Sequence, residues 1–198
     1  FSPNLITILN FFLGLGSIFF IVFKKEFFEL GIIIFFIFII FDNIDGSLAR
    51  YDKKTFLGKF IDALFDAIIF VFFYISISFF TFSLTNDFNL LIFGIISSTL
   101  LLIDVLILDK FSALVRWSNE QNKKNFQPYL RKKKFLRFFL ILRDTTFLGT
   151  FLLIFFQDDI GVFKIIFIII CISLSISSIT NVIMHLYYAS KYLNFKKK

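Results

Sequence analysis

Leu30-Gly31-Ile32-Ile33-Ile34-Phe35-Phe36-Ile37-Phe38-Ile39-Ile40-Phe41 carries no charge, and it runs straight into Asp42-Asn43-Ile44-Asp45-Gly46-Ser47-Leu48-Ala49-Arg50. The first part reads as a membrane helix; the second interrupts it with acid. Gly58, Asp62 and Asp66 follow at four-residue steps, and then residues 67 to 80 are again almost wholly apolar. An ionised Asp near the middle of a bilayer costs about 2.5–3.5 kcal/mol on insertion scales. Asp42, Asp45, Asp62 and Asp66 therefore need a compensating partner, and a divalent cation is the simplest one.

The rest of the chain agrees with a membrane setting. Of its 198 residues 58% are hydrophobic and only 18% are charged, the balance of an integral membrane protein. A helix needs about 20 apolar residues to cross about 30 Å of hydrocarbon. Six runs approach or reach that length: 5–23, 27–41, 63–83, 89–108, 136–156 and 161–190. The expected architecture is all-α, a polytopic membrane protein with about six transmembrane helices. The second run is short unless its helix continues through Asp42.

Charge placement orients the spans. Most Lys and Arg, namely Arg50, Lys53, Lys54 and Lys59, the stretch from Lys110 to Lys134, and Lys191 with Lys196 to Lys198, fall in alternate loops; the opposite loops hold Lys24, Lys25 and Lys164 with acidic Glu26, Glu29, Asp87, Asp158 and Asp159. The positive-inside rule then puts both termini and the Asp-rich motif on the cytoplasmic side. Net charge +7 so distributed fits anionic lipid headgroups rather than nucleic acid. Thirty-five Phe beside many Ile and Lys fit codon bias better than an aromatic binding surface. The single cysteine, Cys171, excludes a disulfide framework and a thiolate metal site.

Ser2-Pro3 starts the first helix well, because Ser can cap free N–H groups and Pro suits the first helical position. Asn4, Thr7 and Asn10 then form a polar stripe, which either faces a substrate pocket or hydrogen-bonds between helices. No repeat or flexible linker divides residues 1–198, so one domain is expected, starting at Phe1 as part of a longer gene product. The polar stretch from about 110 to 135 holds Trp117, a membrane-interface anchor, and the basic run Arg131-Lys132-Lys133-Lys134.

On a helix, Asp42, Asp45, Gly46 and Ala49 share one face, and Gly58, Asp62 and Asp66 share another. If the two helices meet, four carboxylates converge beside a floor of small residues on which a nucleotide base could pack. Oxygen ligands with no His or Cys nearby favour Mg²⁺ or Mn²⁺ over zinc. Arg50 offers a forked donor for phosphate oxygens, and Asp66 is the candidate general base. Plain salt bridges to Arg50, Lys53, Lys54 or Lys59 do not account for the joint spacing of small and acidic residues.

These residues resemble the signature of the CDP-alcohol phosphotransferases, integral membrane enzymes of phospholipid synthesis: D-x-x-D-G-x-x-A-R, then G-x-x-x-D-x-x-x-D. Asp42, Asp45, Gly46, Ala49, Arg50, Gly58, Asp62 and Asp66 all match it, and Pro3-Asn4-Leu5-Ile6-Thr7 is similar to the start of the family's first helix. The seven residues between Arg50 and Gly58 are fewer than the family usually has. The resemblance implies transfer of a phosphatidyl group from a CDP-linked lipid, such as CDP-diacylglycerol, to a small alcohol with release of CMP. It also implies metal held by Asp42, Asp45 and Asp62, with Asp66 joining a second ion or serving as base. Asp45, Gly46, Ala49, Arg50 and Gly58, with Asn4 and Thr7, would bind CDP. A homodimer in a bacterial cell membrane, its active site facing the cytoplasm, is the accompanying expectation.

The acceptor alcohol is less legible. Arg143 and Asp144, within the fifth apolar run, are candidates for binding it. His185, the only histidine, fits packing better than catalysis, and Asp104 is expected to pair with Lys110 or Arg116. A cation or proton transporter would also use intramembrane acids, but it predicts them across the full depth, whereas these cluster on one side. Another CDP-activated donor is the alternative within the enzyme class.

Overall fold

The computed structural model describes residues 3–23, 25–51, 56–122 and 146–194, with side chains described over 6–23, 26–44, 61–114 and 146–190. Helices α1 (Pro3–Phe23), α2 (Phe28–Tyr51), α3 (Phe56–Thr85), α4 (Phe88–Asn122) and α6 (Ile160–Asn194) carry most of it. Helix α5 is described over Thr146–Phe155. A single 3-10 turn, Lys25–Phe27, joins α1 to α2, and no strand occurs among the described residues. The protein is an all-α, polytopic membrane protein. Stretches of α1, α3, α4 and α6 are each long and apolar enough to cross a bilayer, and large apolar side chains such as Phe12, Ile37, Phe72, Ile165 and Ile169 stand exposed on the outer faces, as contact with lipid requires.

Two of the expected spans are extended by the structure. Helix α2 does not stop at Phe41 but continues unbroken through the acidic motif to Tyr51. Helix α4 continues beyond Leu108 to Asn122, through much of the stretch read as a polar interruption. The interruption in hydropathy is real; the helix simply outlasts it, since Ser, Glu, Gln and Arg tolerate a helix in water.

The ends facing away from the acidic motif are capped by short polar signals. Asn86 closes α3 at φ 53°, its N–H donating to the Phe82 carbonyl at 2.8 Å, a left-handed cap that Asn tolerates. Asp87 then caps α4 by accepting from the Asn89 N–H at 3.1 Å. Asp159 caps α6 through Gly161 and Val162, at 3.0 and 3.1 Å. Each cap satisfies backbone donors that would otherwise lack partners.

Packing is set by small residues and stacked rings. A Cβ on Gly31 would lie 2.6 Å from Ile21 and 3.0 Å from the Ser17 carbonyl oxygen; one on Gly14 would lie 2.6 Å from Ile69. These two glycines let α1 approach α2 and α3 closely. Phe35 stacks on Phe73 with centroids 3.3 Å apart, and Phe28 on Phe80 at 3.7 Å. On the far side, α4 and α6 run parallel along a seam where Ser175 donates to Ser97 at 3.1 Å and Asn181 to Asp104 at 3.2 Å. Asp104 is therefore buried and accepts a hydrogen bond from α6, as a carboxylate 1% exposed needs a donor inside the bundle; of its expected partners, the Arg116 side chain lies outside the described residues. His185 is also buried there, its Nδ1 2.6 Å from the Asn181 carbonyl oxygen and its ring edge-on to Phe111, in keeping with a packing role.

Candidate active site

Three inward-facing stripes explain where the acids meet. On α1 it is Asn10, Gly14, Ser17 and Ile21; on α2 Gly31, Phe35, Phe38 and Asp42; on α3 Asp62, Asp66, Ile69 and Phe73. Each stripe keeps within about 60° of one helix face at 100° per residue. Contacts along the apolar turns lock those faces together: Gly14 against Ile69 and Ile21 against Gly31, the Ser17 hydroxyl donating to the Gly31 carbonyl at 2.8 Å, and Phe35 on Phe73. Packing deep in the bundle thus dictates that Asp42, Asp62 and Asp66 point at one another at its end.

One carboxylate oxygen from each of Asp42, Asp62 and Asp66 lies within 4.8 Å of the other two, and all three residues are half-buried. At an effective dielectric of about 20, each pair of unit charges at that separation repels by about 3–4 kcal/mol. A hard divalent cation relieves this with the ligand type it prefers. The donor set, all oxygen and drawn from two adjacent helices, fits Mg²⁺ or Mn²⁺ better than a soft metal.

Asp45, Gly46, Ala49 and Arg50 occupy the last two turns of α2, Gly58 the first turn of α3, and Asn4 the first turn of α1. Their side chains lie outside the described residues, as do Arg143 and Asp144 altogether. Thr7 is half-buried on α1, on the turn before Asn10.

An apolar cavity of about 710 Å³ opens beside two of the acids. Asp42, Asn43 and Asp66 stand at its polar end, and Phe36, Ile39, Phe70, Leu101, Val105 and Phe147 form much of its wall. Sequence reading missed this chamber. The only local signal was the pair Ala63 and Ala67 on the cavity side of α3, small residues that make room; the walls from α4 and α5 come together only in the fold.

The acidic cluster thus stands at one end of a bundle of apolar helices, beside an apolar chamber. The family model for CDP-alcohol phosphatidyltransferase matches residues 1–189. The chain belongs to that family, and its class of activity is transfer of a phosphatidyl group from a CDP-alcohol. Neither a curated protein nor a solved structure gives a significant match.

Proposed function

We propose that this enzyme transfers the phosphatidyl group of a CDP-linked lipid such as CDP-diacylglycerol to a small alcohol, releasing CMP. The observation that carries the reading is the convergence of Asp42, Asp62 and Asp66 at the mouth of an apolar cavity. The first would hold a divalent cation that binds a diphosphate; the second has the volume and chemistry to hold the lipid part beside it.

Asp42, Asp62 and Asp66, with Asp45 from the same turn region of α2, would hold Mg²⁺ or Mn²⁺. Bound metal would draw negative charge from the diphosphate oxygens and so favour displacement. Asp66 accepts the proton of the acceptor hydroxyl. The acceptor oxygen forms a bond to the lipid-linked phosphorus, the bond from that phosphorus to the CMP oxygen breaks, and CMP leaves with the electron pair. Gly46, Ala49, Arg50 and Gly58, with Asn4 and Thr7, bind the CDP portion beyond the acids, and Arg143 and Asp144 bind the acceptor. The basic loops on that side favour a cytoplasmic active site in a bacterial cell membrane, and the family resemblance favours a homodimer.

The direct experiment measures CMP release from CDP-diacylglycerol by the purified full-length enzyme with Mg²⁺ or Mn²⁺. Serine, glycerol 3-phosphate, inositol and inositol phosphate serve as acceptors. Release with one of them is expected; no release with any, while a water-soluble CDP-alcohol is turned over, would move the reading to the other donor class.

A further inference from the structure

Asn10 is 5% exposed, and its Oδ1 has no hydrogen-bond partner among the described residues. Buried polar atoms in membrane helices are nearly always paired, so an orphaned acceptor asks what donor meets it. Its position narrows the answer. Phe11 stacks on Phe65 with centroids 4.1 Å apart, and Gly14 packs on Ile69. Helices α1 and α3 therefore run parallel in a register that sets Asn10 level with residues 64 and 65, between Asp62 and Asp66. Against α2, the contacts of Ser17 and Ile21 with Gly31 set Asn10 level with the turn from Phe38 to Asp42. Asn10 thus shares the inward face of α1 and the level of the acids.

We infer that Asn10 is a further substrate-binding residue, its amide oxygen accepting a hydrogen bond from a hydroxyl or ammonium group of the acceptor alcohol. The inference rests on the phosphatidyl-transfer reading. Among the reactants at this level the diphosphate offers only acceptor oxygens, and a lipid chain offers no polar group. The acceptor alcohol alone brings a donor. Asn10 is absent from the wall of the apolar cavity, which is built from α2, α3, α4 and α5, so its orphaned oxygen is not assigned to the lipid part of the donor.

The test compares steady-state kinetics of wild type, Asn10→Leu and Asn10→Thr at saturating CDP-diacylglycerol, using whichever of serine, glycerol 3-phosphate, inositol or inositol phosphate supports CMP release. Loss of the hydrogen bond in Asn10→Leu should raise the acceptor KM about fivefold or more, with the KM for CDP-diacylglycerol within about twofold of wild type. Asn10→Thr, which restores an oxygen, should recover most of the loss. Should Asn10→Leu not be recovered as folded protein, Asn10→Ala gives the same comparison. An unchanged acceptor KM in a folded variant, with only the melting temperature altered, would overturn the assignment and leave Asn10 a packing residue. Wild type that releases no CMP from CDP-diacylglycerol with any of these acceptors would instead overturn the underlying reading, and the assignment with it.

Discussion

Asp66, like Asp42, belongs to the acidic trio and borders the apolar cavity, and it is the residue proposed as the base. Asp66→Asn should lower kcat by about 10²–10⁴-fold, the range for a lost general base, while the protein stays folded; full turnover would remove Asp66 from the chemistry. Arg143→Ala should raise the KM for an anionic acceptor and leave that for an uncharged one unchanged, a difference read from parallel assays. The aspartates were legible in sequence because acid in an apolar run is costly and the spacing repeats. Asn10 was legible only as part of a polar stripe: its level with Asp62 and Asp66 depends on the register of three helices, which no local pattern encodes.

At the scale of elements, the close contact of α1 with α2 depends on Gly31. A side chain there meets backbone of α1, the Ser17 oxygen at 3.0 Å, which cannot swing aside as a methyl can. Gly31→Val should destabilise the protein by about 1–3 kcal/mol, the usual scale of overpacking, measured by thermal unfolding in detergent. Because the same contact aims Asp42, activity should fall further than stability. The α4–α6 seam has a different role. Asp104→Leu leaves Asn181 without its 3.2 Å partner and should cost about 1 kcal/mol, whereas Asp104→Leu with Asn181→Leu should cost less than the two single changes together. Hydropathy located these helices and stopped short of the end of α4, while the shortness of the second run already pointed to α2 continuing through Asp42. Helix α2 passes through its acids and α4 through its polar half because backbone hydrogen bonding continues where hydropathy stops.

For the whole molecule, the bundle brings a cluster of carboxylates and an apolar chamber to the same end, the pairing on which the proposed CDP-linked lipid donor rests. Its all-α membrane architecture followed from composition and run length alone. The chamber did not, since Leu101, Val105 and Phe147 look like ordinary lipid-span residues until α4 and α5 are placed against α2 and α3. A chelator should abolish CMP release, and added Mg²⁺ or Mn²⁺ should restore it. The most direct measurement is Mn²⁺ binding followed by electron paramagnetic resonance, on the purified wild type and on Asp42→Asn and Asp62→Asn. Tight binding to wild type that weakens by more than about tenfold in each variant is the predicted result; equal binding by all three proteins, or none by wild type in the presence of CDP-diacylglycerol, would contradict it.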